Sequence, residues 1–238
     1  MSGGRAFGSK ARRVAGGIGA VAVAAMMLAA CSPVKLGAAA VVGSQRITSA
    51  SLDSDVSDLQ AAIPQYLGSV QVDKTKIPNL VLANLVSFAI RNKTAENLGI
   101  TVSQTQVDAA IAWQYQQNSQ SVSNPQQLIV ASAVPPQMAS QYGRYWAIWL
   151  VYLSRVNNGQ FPTQENSAID QQIAKFNAAE CKAAQSLHVQ VNPQYGNLAY
   201  AKAQGNFTVV AASNPLSGTG AAATPAATPT AGGSPLAC

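Results

Sequence analysis

Asn79–Leu98, with the sequence NLVLANLVSFAIRNKTAENL, is the segment most strongly patterned as a helix. Its apolar side chains recur at spacings of three and four residues, which defines one helical face. These residues are Leu82, Leu85, Val86, Ala89 and Ile90, joined by Val81 and Phe88. Pro78 stands where a first-turn proline belongs, and Gly99 follows as a C-terminal stop. Because the apolar face is broad, we expect other helices to pack around this one.

The residues on the N-terminal side of this helix predict a short β-segment followed by a first helix. Ala38–Arg46 centres on two adjacent valines, which favour extended chain. Thr48 or Ser49 can cap a helix through its hydroxyl group. Four apolar residues then share one helical face: Leu52, Val56, Leu59 and Ile63. Pro64 falls at the end of this pattern, so we expect the first helix to end there.

Beyond Gly99, the pattern predicts four further helices and two short strands. The helices cover Ser103 to about Asn118, Pro125–Ala133, Gln137–Val156 and Gln164–Ser186. The strands are Leu187–Val191, in which apolar and polar residues alternate, and Phe207–Val210. We expect Leu187–Val191 to pair with Val41–Arg46. The predicted fold class is therefore mainly α, with a small β-sheet that joins the N- and C-terminal segments.

The first thirty residues have the organisation of a signal peptide. Residues 1–13 contain four basic and no acidic residues, and residues 14–30 are uncharged and rich in Ala, Val and Gly. The run ends in Leu28-Ala29-Ala30-Cys31, which resembles the bacterial lipoprotein box. The resemblance implies cleavage before Cys31, lipid on its sulfur and a protein anchored to the outer face of the membrane. The alternative, a retained transmembrane helix, is disfavoured because the run is short and only weakly apolar.

The composition of the remaining chain favours a domain with few charges. Without the four basic residues of the signal, eleven bases stand against nine acids. Nucleic-acid binding needs a clustered basic face, so we expect no nucleic-acid partner. We interpret residues 31–37 as a tether and residues 38–212 as one domain with a core of its own.

Residues 213–238 form a low-complexity tail of Ala, Thr, Pro, Gly and Ser, which we expect to be disordered. Thr224-Pro225 and Thr228-Pro229 resemble O-mannosylation segments, and a plain flexible tail is the alternative. With Cys31 used by lipid, Cys181 and Cys238 are an even pair available for a disulfide. Two unpaired thiols, or a bond from Cys238 to another chain, are the alternatives.

Four short motifs occur in a recognisable order. They are 41–48 (VVGSQRIT), 98–100 (LGI), 101–108 (TVSQTQVD) and 189–196 (VQVNPQYG). In this order they resemble the SurA-type N-terminal domain of periplasmic chaperones, with the last motif similar to the ending of foldase-like relatives. Gln194 stands where those relatives often have Arg. The resemblance covers about residues 38–200.

The resemblance implies a helical domain that binds client chains without catalysis. Many SurA-type foldases also carry a parvulin prolyl isomerase domain before the final segment. Here one predicted helix connects Val156 to Leu187, which leaves no room for it, so we expect no isomerase activity. The implied function is a membrane-anchored, chaperone-like protein that binds exported unfolded or partly folded proteins. The alternative is a lipoprotein adaptor that docks to one dedicated partner of the cell envelope.

No catalytic, cofactor or metal site is predicted. The single histidine, His188, lies in the predicted strand Leu187–Val191, and no nucleophile with an orienting acid accompanies it. One histidine with scattered carboxylates does not supply a cluster of metal ligands.

The helix Gln137–Val156 carries the candidate client groove. Aromatic residues recur along it: Tyr142, Tyr145, Trp146, Trp149 and Tyr152. Such side chains combine apolar area with a polar group, which suits unfolded segments of varied sequence. Alternatively the stripe is core, or the tryptophans are buried and the tyrosines line the groove. We expect weak, nearly salt-independent binding that survives loss of the tail. If the groove reading holds, changing the three tyrosines to serine reduces binding without lowering the melting temperature.

Overall fold

The computed structural model describes residues 37–162, 167–201 and 206–210. The helices of this part are α1 (Ser49–Leu67), α2 (Ile77–Asn97), α3 (Gln104–Asn118), α4 (Pro125–Ala131), α5 (Ala139–Ser154) and α6 (Ser167–Ser186). The strands are β1 (Ala38–Val42), β2 (Gln45–Thr48), β3 (Gln190–Val191), β4 (Asn197–Ala201) and β5 (Asn206–Val210). The predicted class, mainly α with a small sheet, is confirmed.

Several predictions fall on residues outside this described part. They concern the signal peptide 1–30, the lipidated Cys31, nearly all of the tether 31–37, the tail 213–238 and Cys238. They therefore stay predictions. Within the described residues, no helix has the length and apolarity needed to cross a membrane.

β1 lies at the centre of a three-stranded antiparallel sheet in the order β2-β1-β3. Val41 of β1 faces Gln190 of β3, and Ala40 faces Val191, which confirms that the two ends of the domain are joined. Of the predicted segment Val41–Arg46, only Val41 takes part in this pairing, and Gln45 and Arg46 belong to β2. Gly43 turns the chain between β1 and β2 with a φ of +60°. Its N–H donates to the Leu187 carbonyl at 2.7 Å, and a Cβ on Gly43 would lie 2.8 Å from the Leu187 side chain. A larger residue would therefore push this turn away from the end of α6.

α2 is the central helix, as its apolar pattern predicts. Its most buried apolar side chains have no exposed surface: Val81, Leu82, Val86 and Ile90. They belong to a core that α2 shares with α1, β1 and the hairpin of β4 and β5. The helix begins with Pro78 in its first turn and ends before Gly99, which has a φ of +59°. Leu85 is only half-buried, between this core and a second cluster.

The first helix runs past the end that Pro64 predicts. α1 continues through Pro64 to Leu67. A proline removes one helical hydrogen bond, and it restricts the residue before it rather than those that follow. The turn after Pro64 packs Tyr66 and Leu67 against the main core, and this burial offsets the lost bond.

The C-terminal segments also differ from the prediction. Of the expected strand Leu187–Val191, only Gln190–Val191 is a strand, and Leu187 and His188 form the turn after α6. His188 is exposed and has a φ of +46° in the turn after α6, so its placement in a strand was wrong. β5 is present as predicted, and it pairs with β4, which the sequence pattern did not indicate.

Candidate functional site

A cavity of about 530 Å³ opens between α2, α3, α5, α6 and the start of β5. Ligand sites in proteins typically measure about 300–1,000 Å³. Its aromatic lining comes from four α5 residues, Tyr142, Tyr145, Trp146 and Trp149, together with Phe88, Trp113 and Phe207. Its amide lining consists of Asn84, Gln114, Gln117, Asn177 and Asn206. The walls therefore combine apolar rings with groups that can both donate and accept hydrogen bonds.

The aromatic residues of α5 form a row of tilted and edge-to-face rings. The ring centroids of Trp113 and Trp149 are 6.1 Å apart, those of Trp149 and Trp146 are 5.9 Å apart, and those of Trp146 and Tyr145 are 5.4 Å apart. Tyr142 is buried, whereas the two α5 tryptophans are half-buried. The arrangement with buried tryptophans and exposed tyrosines is therefore not the one observed.

Tyr152 does not line the cavity. It lies seven residues after Tyr145, about 10 Å further along the helix axis. There it packs against Phe176, with ring centroids 5.1 Å apart, in a separate cluster that includes Ile148. Four of the five predicted groove residues thus share one site, and the fifth belongs to the core on another part of α5.

A glycine brings α5 close to α3. A Cβ on Gly143 would lie 2.8 Å from side-chain atoms of Ile111 and Val107. The backbone of α5 can therefore approach α3 more closely than a larger residue would allow. This approach places Trp113 of α3 opposite Trp149 of α5 and closes one side of the cavity.

The charged residue that lines the cavity is Arg91, whose charge is neutralised by Glu180. Arg91 Nε donates to Glu180 Oε1 at 2.6 Å, and Nη2 donates to Oε2 at 3.0 Å. The guanidinium also lies 3.5 Å above the centre of the Tyr145 ring. Burial opposes the charge of Arg91, but Glu180 holds the pKa of Arg91 above its ordinary value. Arg91 therefore stays charged, and its pairing with Glu180 leaves no free charge for a ligand.

The tyrosines around the cavity stay protonated to higher pH than usual. Burial raises the pKa of Tyr142, Tyr145 and Tyr200 above the ordinary value. For Tyr142, the nearby Ser132 hydroxyl and Trp146 indole partly oppose this shift. The Trp146 N–H and the Tyr200 hydroxyl are buried without a well-oriented hydrogen-bond partner among the described residues. The three phenols are therefore uncharged near neutral pH.

The amides divide into an inner and an outer set. Asn84 donates to the carbonyls of Ser132 and Ala133, both at 3.0 Å, and thereby holds the end of α4. Gln117 and Asn206 are exposed and Asn177 is half-buried. These three side chains lie on three different elements at the cavity, and they make no side-chain hydrogen bond within the described part of the chain. We call Gln117, Asn177 and Asn206 the rim amides.

The periodicity argument did not identify Arg91, Glu180, Trp113 or the rim amides. An available signal was the isolated charge of Arg91 within the apolar face of α2, matched by Glu180 on α6. Among the residues that the structure describes, no group of three or more His, Cys, Asp or Glu side chains is arranged to hold a metal ion.

Cys181 is buried on α6 and takes part in a disulfide. The other two cysteines of the sequence, Cys31 and Cys238, lie outside the described residues. The pairing of Cys181 with Cys238 therefore stays a prediction.

Comparison with known families supports the resemblance seen in the motifs. Residues 11–127 match the family model described as the SurA-like N-terminal domain. No curated protein and no solved structure matches the chain. The matched stretch contains β1, β2, α1, α2 and α3, and with them the α2 and α3 walls of the cavity.

Proposed function

Because residues 11–127 match the family model of the SurA-like N-terminal domain, we propose that this protein is a membrane-anchored, chaperone-like lipoprotein that binds exported proteins. This domain family is chaperone-associated and non-catalytic. In our proposal, the cavity between α2, α3, α5 and α6 holds unfolded or partly folded segments of those proteins. Binding and release involve no chemical step.

The composition of the cavity wall carries this proposal. Tryptophan and tyrosine rings offer apolar contact to side chains of varied shape. The rim amides can donate to and accept from the peptide backbone, which every unfolded chain presents. Arg91, the charged lining residue in the described chain, is already paired with Glu180. Binding at such a site depends on apolar area and backbone contacts, so salt affects it little.

In our proposal, a short tether positions the domain at the membrane. Cys31 carries the lipid in this proposal, and Gly37 lies six residues further along the chain. The Gly37 carbonyl accepts the Ser49 N–H at the start of α1, at 2.9 Å, so Gly37 is already fixed against the domain. Six extended residues span at most about 20 Å. The domain is therefore held near the outer face of the membrane, where exported chains emerge.

A substitution that fills the cavity tests the proposal. Asn177→Phe places a ring into the cavity, whereas Ala178→Phe, on the next position of α6, points an equal ring to solvent. We expect Asn177→Phe to weaken suppression of citrate synthase aggregation several-fold at an unchanged melting temperature. We expect Ala178→Phe to behave like the wild type. Equal activity of the two variants would place client binding elsewhere.

Crosslinking in intact cells separates the chaperone from the adaptor alternative. A photoreactive amino acid at Gln117 lies on the rim, and one at Asp53 lies on exposed α1, away from the cavity. A chaperone gives many unrelated exported proteins at position 117 and few at position 53. One stoichiometric partner at position 117 would instead favour the adaptor.

A further inference from the structure

Two residues close to the cavity can attach the C-terminal segment 211–238. They are Val210, which directly precedes the segment, and Cys181 on α6. β5 ends at Val210, four residues after Asn206, which lines the cavity. Cys181 lies four residues after Asn177, which lines it on α6. Four residues span about 13 Å in a strand and about 6 Å in a helix. Segment 211–238 thus starts within a short distance of one cavity wall, and Cys181 lies near another.

A disulfide attaches the other end of segment 211–238 to the domain. Cys181 is disulfide-bonded, and the sequence contains two other cysteines, Cys31 and Cys238. Under the proposed function Cys31 carries lipid, so Cys238 remains as the partner. The bond to Cys181 then ties the segment to α6 at Cys238. The segment leaves from β5 and returns to α6, two walls of the same cavity.

The segment is long enough to enter the cavity between these attachments. Its 28 residues span about 85 Å in polyproline II conformation, at about 3.1 Å per residue. Pro235 and Leu236 lie only two or three residues before Cys238, about 6–10 Å of extended chain. Since Cys181 is one helical turn from Asn177, this dipeptide is within reach of the cavity.

The chemistry of the segment matches the cavity. Residues 211–238 contain four prolines, two Pro-Leu dipeptides and no charged side chain. Proline-rich segments bind aromatic-lined grooves, because the polyproline II conformation is already extended and loses little entropy. That conformation has no internal hydrogen bonds, so its carbonyls can accept from the rim amides. A segment without a core of its own can bind in this way.

We propose that segment 211–238, tied through Cys238 to Cys181, docks Pro235 and Leu236 in the aromatic cavity and competes with clients. This inference rests on the proposed function of the cavity as a peptide site. A tethered ligand has an effective concentration in the millimolar range. If the dipeptide binds with a dissociation constant of about 0.1–1 mM, it lowers the apparent affinity for clients about two- to tenfold. Clients are then delayed but not excluded.

The tryptophans provide a direct measurement. The sequence has three, Trp113, Trp146 and Trp149, and all line the cavity. The full-length mature chain is compared with Pro235→Ser/Leu236→Ser and with Cys238→Ser, by acrylamide quenching of tryptophan emission. The same proteins are titrated with a labelled, uncharged, proline-free apolar peptide. We expect both variants to show stronger quenching and a two- to tenfold higher peptide affinity. Pro235→Ser/Leu236→Ser keeps the wild-type melting temperature, whereas Cys238→Ser also loses the disulfide and unfolds at a lower temperature.

The other Pro-Leu dipeptide supplies the matched control. Pro215→Ser/Leu216→Ser removes the same two side chains far from Cys238, and we expect wild-type quenching and affinity. Unchanged quenching and affinity in the 235/236 variant would overturn the proposal, as would an equal effect of the 215/216 variant. If no protein binds the peptide while the 235/236 variant still shows stronger quenching, tail docking stands and the proposed function fails. If all proteins bind the peptide equally, the proposed function stands and tail competition fails.

Discussion

Arg91 on α2 and Glu180 on α6 form a two-bonded ion pair inside the domain. The two N–O distances are 2.6 and 3.0 Å, and the side chains are 4% and 2% exposed. The Arg91 guanidinium also stacks on the Tyr145 ring of α5. A single arginine therefore connects three helices that together form walls of the cavity.

Removing one partner of this pair should destabilise the domain strongly. Glu180→Leu leaves a buried, unpaired guanidinium, and such changes cost about 3–5 kcal/mol. The double variant Arg91→Met/Glu180→Leu leaves no buried charge, so we expect it to recover much of that loss. Urea unfolding of the three proteins gives the comparison. A single variant that loses less than about 1 kcal/mol would show that water reaches the guanidinium.

The central position of α2 can be tested with three leucines of the same helix. Leu82 has no exposed surface, whereas Leu80 is 47% exposed. We expect Leu82→Ala to cost about 2–5 kcal/mol and Leu80→Ala to cost less than about 0.5 kcal/mol. Leu85 is half-buried, so its substitution should fall between the two. Similar unfolding free energies for Leu82→Ala and Leu80→Ala would contradict the packing described for α2.

Local sequence signals predicted most of the helices because their causes are local. The Thr48 hydroxyl accepts the Ser51 N–H at 3.0 Å, which is the cap expected for α1. Ser103 and Gln106 cap each other's backbone at the start of α3. Each signal requires residues no more than three positions apart. β4 lacked such a signal, because its partner β5 and the core beneath the hairpin supply its stability.

The cavity could be predicted only in part, because it depends on which helical faces meet. The spacing of the aromatic residues predicted one face of α5, and that face contributes four residues to the cavity lining. Trp113, Asn177 and Asn206 come from elements far apart in the sequence. None of them belongs to a periodic sequence pattern that would mark the cavity. Arg91 and Glu180 are 89 positions apart. Periodicity shows whether a helical face is apolar or polar, but not which other element packs against that face.

Stability should fall at alkaline pH because of the buried phenols. The pKa of Tyr145 is raised above its ordinary value of 10.0, mainly by burial, and those of Tyr142 and Tyr200 are raised as well. Below about pH 10 both states keep these protons. Above it the unfolded chain loses them first, so the free energy of unfolding falls as pH rises. Urea unfolding from pH 8 to 11 measures this slope. We expect a shallower slope in Tyr145→Phe, and a slope equal to wild type would contradict the burial of this phenol.

The membrane anchor has a single-residue test. Cys31→Ser removes the sulfur that lipid requires, so we expect an unprocessed or misprocessed precursor that moves to the aqueous phase in Triton X-114 partitioning. The wild-type protein should stay in the detergent phase and lose its signal peptide. Cys238→Ser is the control for the loss of one cysteine and should partition like the wild type. A Cys31→Ser protein that partitions and migrates like the wild type would rule out the lipoprotein interpretation.

For the tyrosines of α5, the sequence pattern and the structure predict opposite effects of substitution on the melting temperature. If they only lined an open groove, changing Tyr142, Tyr145 and Tyr152 to serine would spare the melting temperature. Tyr142 is 4% exposed, and Tyr145 supports the Arg91 guanidinium. Because loss of a buried aromatic side chain costs about 3–5 kcal/mol, we expect the triple variant to unfold at a much lower temperature. Its binding data would then report unfolding rather than recognition.

Single substitutions separate the contribution of a side chain to stability from its contribution to peptide binding. Tyr152→Ser lies outside the cavity and removes the contact with Phe176, so we expect a lower melting temperature but wild-type affinity for a client peptide below that temperature. Gln117→Ala removes an exposed rim amide that makes no hydrogen bond within the described chain, so we expect an unchanged melting temperature and a two- to fivefold weaker affinity, about the net value of one hydrogen bond. Thermal unfolding and peptide titration on both proteins complete the comparison. If Tyr152→Ser loses peptide affinity and Gln117→Ala retains it, the client surface lies along the far end of α5 and not in the cavity.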